Sequence, residues 1–325
     1  MRVIQVTHFG GPEVLTPGEA PDPVAGPGEA VIAVSAVDVL FLDTQIRSGS
    51  AAGYFGVKPP YVPGGGVAGR VASVGPGVDP GWAGRRVVTR TGGPGGQGGY
   101  AQMAMAPVDG LVQVPDSLGL SEAAALLHDG PTAMGLAGKA RLEPGDWALV
   151  LGAAGGLGIL LVQLARAAGA RVVGAARGKQ KLDLVREFGA EAVADYAEQS
   201  WLDRVREVTG GAGPDVVFDG VGGQVGLAAF GLTARGGQFS AHGAASGAFT
   251  EVDRQQADQR GIAVRGIDQV QFAPADLTRL ADRALSDAVA GKIKPVIGQT
   301  FPLEQAAAGH AAMEARSVIG KSLLI

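Results

Sequence analysis

The chain has 325 residues, enough to bury one large core or two modest ones, and its 46% hydrophobic and 18% charged residues fit a folded globular protein rather than a disordered one. A net charge of -4 with no long basic or acidic run argues against a nucleic-acid surface, and the absence of cysteine rules out disulfides and thiolate metal sites. No apolar run reaches the roughly 18 residues a membrane span requires. The opening MRVIQVTHFGGPEVL lacks the apolar core of a secretory signal, so a cytoplasmic location is expected.

The first third reads as short strands separated by turn residues: EAVIAVSAV, GVAGRVASVG, RRVVTR, GYAQMAMAP and GLVQVP. Glycine-rich connections, such as 26–29 and 91–99, suit loops, and one helical insert, VLFLDTQIRSG, interrupts the series. From about Ser121 the pattern changes, with SEAAALLHDGPTAMGLAGKA carrying an apolar stripe at helical spacing. Strand and helix then alternate: WALVLG with LGILLVQLARAAG, RVVGAAR with KQKLDLVREFG, EAVADY with SWLDRVREVTG, then PDVVFDGVG and GGQFSAHG. Such alternation builds a parallel sheet with crossover helices. The helix LTRLADRALSDAVAG precedes two short strands, KPVIGQTFP and GKSLLI, expected to return to the first domain. The fold class is therefore α/β, a mostly-β domain over 1–122 and 291–325 with a parallel-sheet domain over 123–290. GGQFSAHG, near the end of the parallel series, is expected to leave a sheet edge to which a second copy can pair.

The glycine-rich VLGAAGGLG sits between a strand and a helix, where a dinucleotide-binding turn presents helix N–H groups to a diphosphate. Against G-x-G-x-x-G the match is Ala153, Gly155 and Gly158, with Gly152 just ahead. The next strand ends Ala175-Ala176-Arg177, where an acid would accept the hydroxyls of the adenosine ribose in NAD. Arg177, Lys179 and Lys181 instead place three cations within five residues, with no acid before Asp183. Charge-assisted bonds to a 2′-phosphate follow, and the cofactor expected is NADPH. A solvated basic helix start is the plainer reading, but it opposes the helix dipole unless an anion is bound.

With these features the sequence resembles the zinc-independent quinone oxidoreductases, the zeta-crystallin type, of the medium-chain dehydrogenase/reductase superfamily. LDTQIRSG, GGYAQ, SEAAALLHDGPTA, GAAGGLG, KLDLVREFGAEAVADY, DVVFDGVGG, GGQFSAHGAASG and ARSVIGKSLLI carry the resemblance, which covers nearly the whole chain. It implies a GroES-like catalytic domain and a Rossmann domain with the active site in the cleft between them, NADPH, and a homodimer. By the same resemblance Gly155, Gly156 and Leu157 lie against the pyrophosphate, and Ala176, Arg177 and Lys181 line the 2′-phosphate region. Tyr196 falls beside the adenosine half, Gly220 and Val221 near adenine and ribose, Gly243 and Ser246 by the nicotinamide, and Arg316 at the adenine end. For Tyr196 the alternative is a ring packed on the sheet edge, and for Arg316 a surface ion pair with Glu314.

Three positions depart from the family: Leu40 stands for its active-site asparagine, Gln45 for a nearby tyrosine, and Gly66 for the glutamate of a PGxE turn. The expected pocket is correspondingly more apolar. The four histidines, His8, His128, His242 and His310, lack H-x-x-x-H spacing, and no metal ligand is assigned. Without an electrophilic metal, quinones and α,β-unsaturated carbonyls are the acceptors expected, since they delocalise incoming charge. Gln45, Arg47 and Thr132 are the candidate donors to a developing oxyanion, and His128 with Asp129 could relay a proton. An enoyl-thioester or polyketide-type enone reductase, a small NADP-dependent alcohol or ketone reductase, and an NADPH-binding protein with little turnover are the alternatives.

Overall fold

A computed structural model describes residues 1–92 and 97–325; part of the glycine loop expected over 91–99 lies outside the described residues. In chain order the first strands and helices are β1 (Arg2–Val6), β2 (Leu15–Glu19), β3 (Glu29–Val39), α1 (Phe41–Ser48), α2 (Ala52–Phe55), β4 (Gly66–Val74), β5 (Arg86–Arg90), β6 (Met103–Pro107), β7 (Val112–Gln113) and α3 (Leu120–Leu126). Next come α4 (Asp129–Ala140), β8 (Trp147–Leu151), α5 (Gly156–Ala167), β9 (Arg171–Ala176), α6 (Lys179–Glu187), β10 (Ala192–Asp195) and α7 (Trp201–Val208). The rest is β11 (Val216–Asp219), α8 (Gly223–Leu232), β12 (Gln238–Ala241), α9 (Arg254–Arg260), β13 (Ala263–Arg265), α10 (Pro274–Val289), β14 (Ile297–Phe301), α11 (Ala306–Glu314) and β15 (Lys321–Leu324).

Two compact units result, one of residues 1–131, 274–291 and 295–325, the other of 132–273 and 292–294. The expected boundaries at 122/123 and 290/291 are shifted. Helix α3 packs on β3, β4 and β15, and α10 packs on α3 and β7, so both helices belong to the first unit. Gly130 marks how tight this is, since a methyl group there would lie 2.6 Å from Ala284 Cβ.

In the first unit β14-β15-β3-β4-β5-β7 form one sheet, with β6 also paired to β3, and β1-β2 form a hairpin. β15 returns antiparallel to β3 with Leu323 opposite Asp38. Val3, Ile4, Val6, Ile32, Val37, Val67, Val87 and Leu324 fill its core. Each such side chain contributes about 1.5–3 kcal/mol on burial.

The second unit is a six-stranded parallel sheet in the order β10-β9-β8-β11-β12-β13. β8 (WALVL) is buried at every position, as a strand covered on both faces must be. Its core is built from Leu149, Leu151, Val173, Val217, Phe230 and Phe239. The strand order reverses around β8, which places the ligand crevice of such a sheet beyond the carboxyl ends of β8 and its neighbours. The edge strand expected at GGQFSAHG is instead interior, because β13, unread in the sequence, pairs in parallel outside β12. At three residues, with a polar helix before it, β13 leaves little periodicity to detect.

Candidate functional site

The chain leaves β8 through Gly152, whose φ of +66° is one that glycine adopts without a Cβ penalty. Gly155 then caps α5 in extended conformation with no side-chain cap, which leaves the first-turn N–H groups of α5 to an external acceptor. A Cβ on Gly158 would lie 2.4 Å from the Gly152 carbonyl oxygen and 2.7 Å from Ala153 Cα, so the helix approaches the turn closer than any side chain permits. Gly155, Gly156 and Leu157 all sit at this uncapped start. A diphosphate fits the cradle.

At the end of β9, Ala176 is buried and Arg177 is exposed. The Arg177 guanidinium lies 5.4 Å from the Tyr196 ring centre, a cation–π contact, and pairs with no carboxylate among the described residues. The neighbouring cations differ. Lys179 is bonded to Asp183, which also takes Arg186, and Lys181 is half-buried on α6. The structure also brings in an acid that the spacing did not reveal. Asp195, at the end of β10, accepts the Gly178 N–H at 2.8 Å on one carboxylate oxygen and the Ala197 N–H at 2.9 Å on the other. Both oxygens are thereby committed to backbone.

The ends of β11 and β12 meet backbone to backbone. A Cβ on Gly243 would be 2.4 Å from the Gly220 carbonyl oxygen, and Ser246 N–H donates to the Val221 carbonyl at 2.7 Å. Asp219, fully buried and missed in the sequence reading, ties this rim together. It accepts the N–H groups of Val221 at 3.0 Å and Gly222 at 2.8 Å, and the Thr250 hydroxyl at 2.5 Å. Burial still raises its pKa against those bonds. His242 is buried beside Gly220, its pKa pushed down to about 4 by that burial, so it is neutral near pH 7.

In the first unit the motif LDTQIRSG forms an interior frame. Asp43 accepts the Leu40 N–H at 2.9 Å and the Tyr100 hydroxyl at 3.3 Å, and that hydroxyl lies 2.8 Å from His310 Nε2. Burial raises the Asp43 pKa to about 7. Arg47, expected as an oxyanion donor, is turned inward instead. Only 1% of its side chain is exposed, and it is bonded to Glu314, the residue considered as a partner for Arg316. Gln45 is half-buried on α1, Thr132 is half-buried on α4, and Arg316 is exposed just after α11 with a φ of +56°.

A second charged group in this unit brings Asp129 together with two residues unread in the sequence, Asp38 and Lys321. Asp38, on β3, is fully buried, and its Oδ1 lies 2.8 Å from Lys321 Nζ. Lys321 also reaches Asp129 Oδ2 at 3.2 Å. Residues 38, 129 and 321 meet only because β15 returns to β3. Among the described residues no three His, Asp or Glu side chains group so as to hold a metal ion, and no helix is long and apolar enough to cross a membrane.

The chain is thus a two-unit dehydrogenase of GroES-like and Rossmann type. Residues 26–116 match the alcohol dehydrogenase GroES-like domain, and residues 156–286 match the family described as zinc-binding dehydrogenase. A 2-haloacrylate reductase of Burkholderia sp. is 34% identical over 97% of this chain and 96% of its own length. The quinone oxidoreductase of Sus scrofa is 32% identical over 100% of this chain and 98% of its own. The quinone oxidoreductase of Escherichia coli, solved in complex with NADPH, superposes with a TM-score of 0.90 at 30% identity, covering 100% of both chains. A mycobacterial protein, Rv1454c, also solved with NADPH, gives a TM-score of 0.90 at 34% identity, again covering 100% of both chains. The chain belongs to the quinone oxidoreductase family of the medium-chain dehydrogenase/reductase superfamily.

Proposed function

We propose that this chain is an NADPH-dependent oxidoreductase that reduces a quinone or an α,β-unsaturated carbonyl. One observation carries the cofactor: the second Rossmann strand ends in an exposed Arg177 with no carboxylate partner among the described residues, where an NAD-binding strand ends in an acid. Gly155, Gly156 and Leu157 would seat the diphosphate, and Ala176, Arg177, Lys181 and Tyr196 the phosphorylated ribose. Gly220, Val221, Gly243 and Ser246 would line the rest, with Arg316 toward the adenine. Bound NADPH supplies the hydride. The remaining work, orienting the acceptor and stabilising the oxygen that gains charge, falls to the chain's own residues, of which Gln45 and Thr132 remain the candidate donors.

The conjugated acceptor has support from both kinds of relative, quinone oxidoreductase and 2-haloacrylate reductase. A homodimer and a cytoplasmic location belong to the same reading. NADPH oxidation followed with 9,10-phenanthrenequinone, 2-cyclohexenone and a crotonyl thioester is the test. Turnover of the quinone or the enone is expected. Preference for the thioester would move the assignment to an enoyl-thioester reductase, and tight NADPH binding without turnover to a binding protein.

A further inference from the structure

His128 lies in the turn between α3 and α4, and its ring faces the segment that carries Gly65 and Gly66. A methyl group on Gly65 would be 3.5 Å from His128 Nε2 and 3.4 Å from Leu40 Cδ1; one on Gly66 would be 2.8 Å from His128 Cε1. The imidazole thus occupies the neighbourhood where Leu40 and Gly66 bring no polar side chain. Its other nitrogen, Nδ1, is 2.9 Å from Asp38 Oδ2. His128 therefore joins the buried group already described and completes a chain Asp129–Lys321–Asp38–His128.

Within that chain the positions are unequal. Asp38 is 0% exposed and Lys321 8%, whereas His128 is 16% exposed and stands with Asp129 at the outer margin. Burial pushes the Asp38 carboxyl up, but Lys321 and then His128 outweigh it and hold the group below the usual carboxylate range. An ionised carboxylate at Nδ1 fixes which ring nitrogen carries the proton in the neutral form. The other charged groups around Asp38 are Arg90 at the end of β5 and Asp43 on α1, and Asp129 is itself raised by burial despite Lys321.

We propose that His128, positioned by Asp38, is the proton donor to the reduced acceptor. The proposal rests on the reductase reading above. Once a hydride has added to the conjugated acceptor, an electron pair resides on the acceptor oxygen as an enolate or hydroquinone anion. His128 donates as the imidazolium, with both ring nitrogens protonated: its Nε2–H bond breaks and an O–H bond forms, or a C–H bond at the α-carbon. The nitrogen keeps the bonding pair as neutral imidazole, which then takes a proton from water. Two electrons arrive with the hydride and one proton with the histidine, which balances the reduction. Asp38 acts as a positioning residue.

The test compares wild type with His128→Gln and Asp38→Asn. For His128→Gln, kcat with 2-cyclohexenone is expected to fall about 10²- to 10⁴-fold. The NADPH dissociation constant and the melting temperature should stay near wild type, and the solvent deuterium effect on kcat should change. In Asp38→Asn, ¹⁵N NMR of the His128 ring should show loss of the Nδ1–H preference present in wild type. Because Asp38 is buried against Lys321, the partly exposed His128→Gln variant is decisive should Asp38→Asn fold poorly. An active wild type matched within threefold by His128→Gln would overturn this proposal alone. A wild type that turns over no acceptor would overturn the reductase reading and this proposal with it.

Discussion

The Rossmann unit lines the ends of its strands with bare backbone, while the GroES-like unit gathers charged side chains into its interior. Gly152, Gly155, Gly158, Gly220 and Gly243 keep side chains out of the first region, Asp195 spends both oxygens on N–H groups of the turns, and Asp219 spends one on such N–H groups and the other on the Thr250 hydroxyl. In the second region Asp38 and Lys321 are paired charges out of water, with the half-buried Asp129 as a second partner of Lys321, and the buried Arg47 is bonded to the exposed Glu314. A cofactor shared by many enzymes can be held by backbone that any similar turn supplies. The GroES-like unit depends instead on side chains whose charge must be compensated from distant segments. Substitutions in the first region should act sterically and on cofactor affinity; in the second they should act on stability and proton traffic.

The largest effect is expected from Lys321→Met. It leaves the buried Asp38 and the half-buried Asp129 without their common cation, and loss of one partner from a buried pair costs about 3–5 kcal/mol. Urea unfolding should show the midpoint drop, with part recovered in a Lys321→Met/Asp38→Asn double variant. Survival of Lys321→Met at wild-type stability would erase the contrast between the units.

Arg177→Ala should raise the NADPH dissociation constant about tenfold or more while leaving NADH little changed, the worth of one charge-assisted bond at an exposed site. Paired titrations of the two cofactors check it. Gly174→Ala should cost about 1–3 kcal/mol, because the new Cβ would lie 2.1 Å from Val185 Cγ1 in the packing of α6 on β9. Thermal unfolding reads this, and cofactor selectivity should be untouched.

The smallest effect is a pH dependence centred on Asp43. Its folded pKa, raised by burial from 3.8 to about 7, means that its contribution to stability is present below about 4 and is lost as pH rises toward 7. Asp43→Asn removes that dependence, so the variant should gain on wild type between pH 4 and 7 in denaturant titrations. His310 and His242, pushed down by burial to about 3 and 4, act in the opposite sense and lose stability as pH falls below about 6.5. The difference between variant and wild type therefore isolates the carboxyl.

The same contrast governs what could be read from sequence. The turn around Gly155 and the end of β9 at Arg177 are local, set within a few residues by strand, glycine and helix, so the Rossmann unit and its cofactor preference were legible. Asp195 escaped because it reaches Gly178 across 17 residues and a parallel strand pair. Asp38 and Lys321 escaped for a stronger version of that reason: each reads alone as a strand residue, and only the pairing of β15 with β3 makes them neighbours. LDTQIRSG offers Arg47 as a candidate donor, but nothing in that octapeptide reveals that Glu314, 267 residues on, bonds to it.

Calorimetric titration of the wild-type chain with NADPH and with NADH tests the central assignment most directly. NADPH is expected to bind at least about tenfold more tightly, through the phosphate assigned to Arg177. Equal affinity for the two, or affinity for neither, would contradict it.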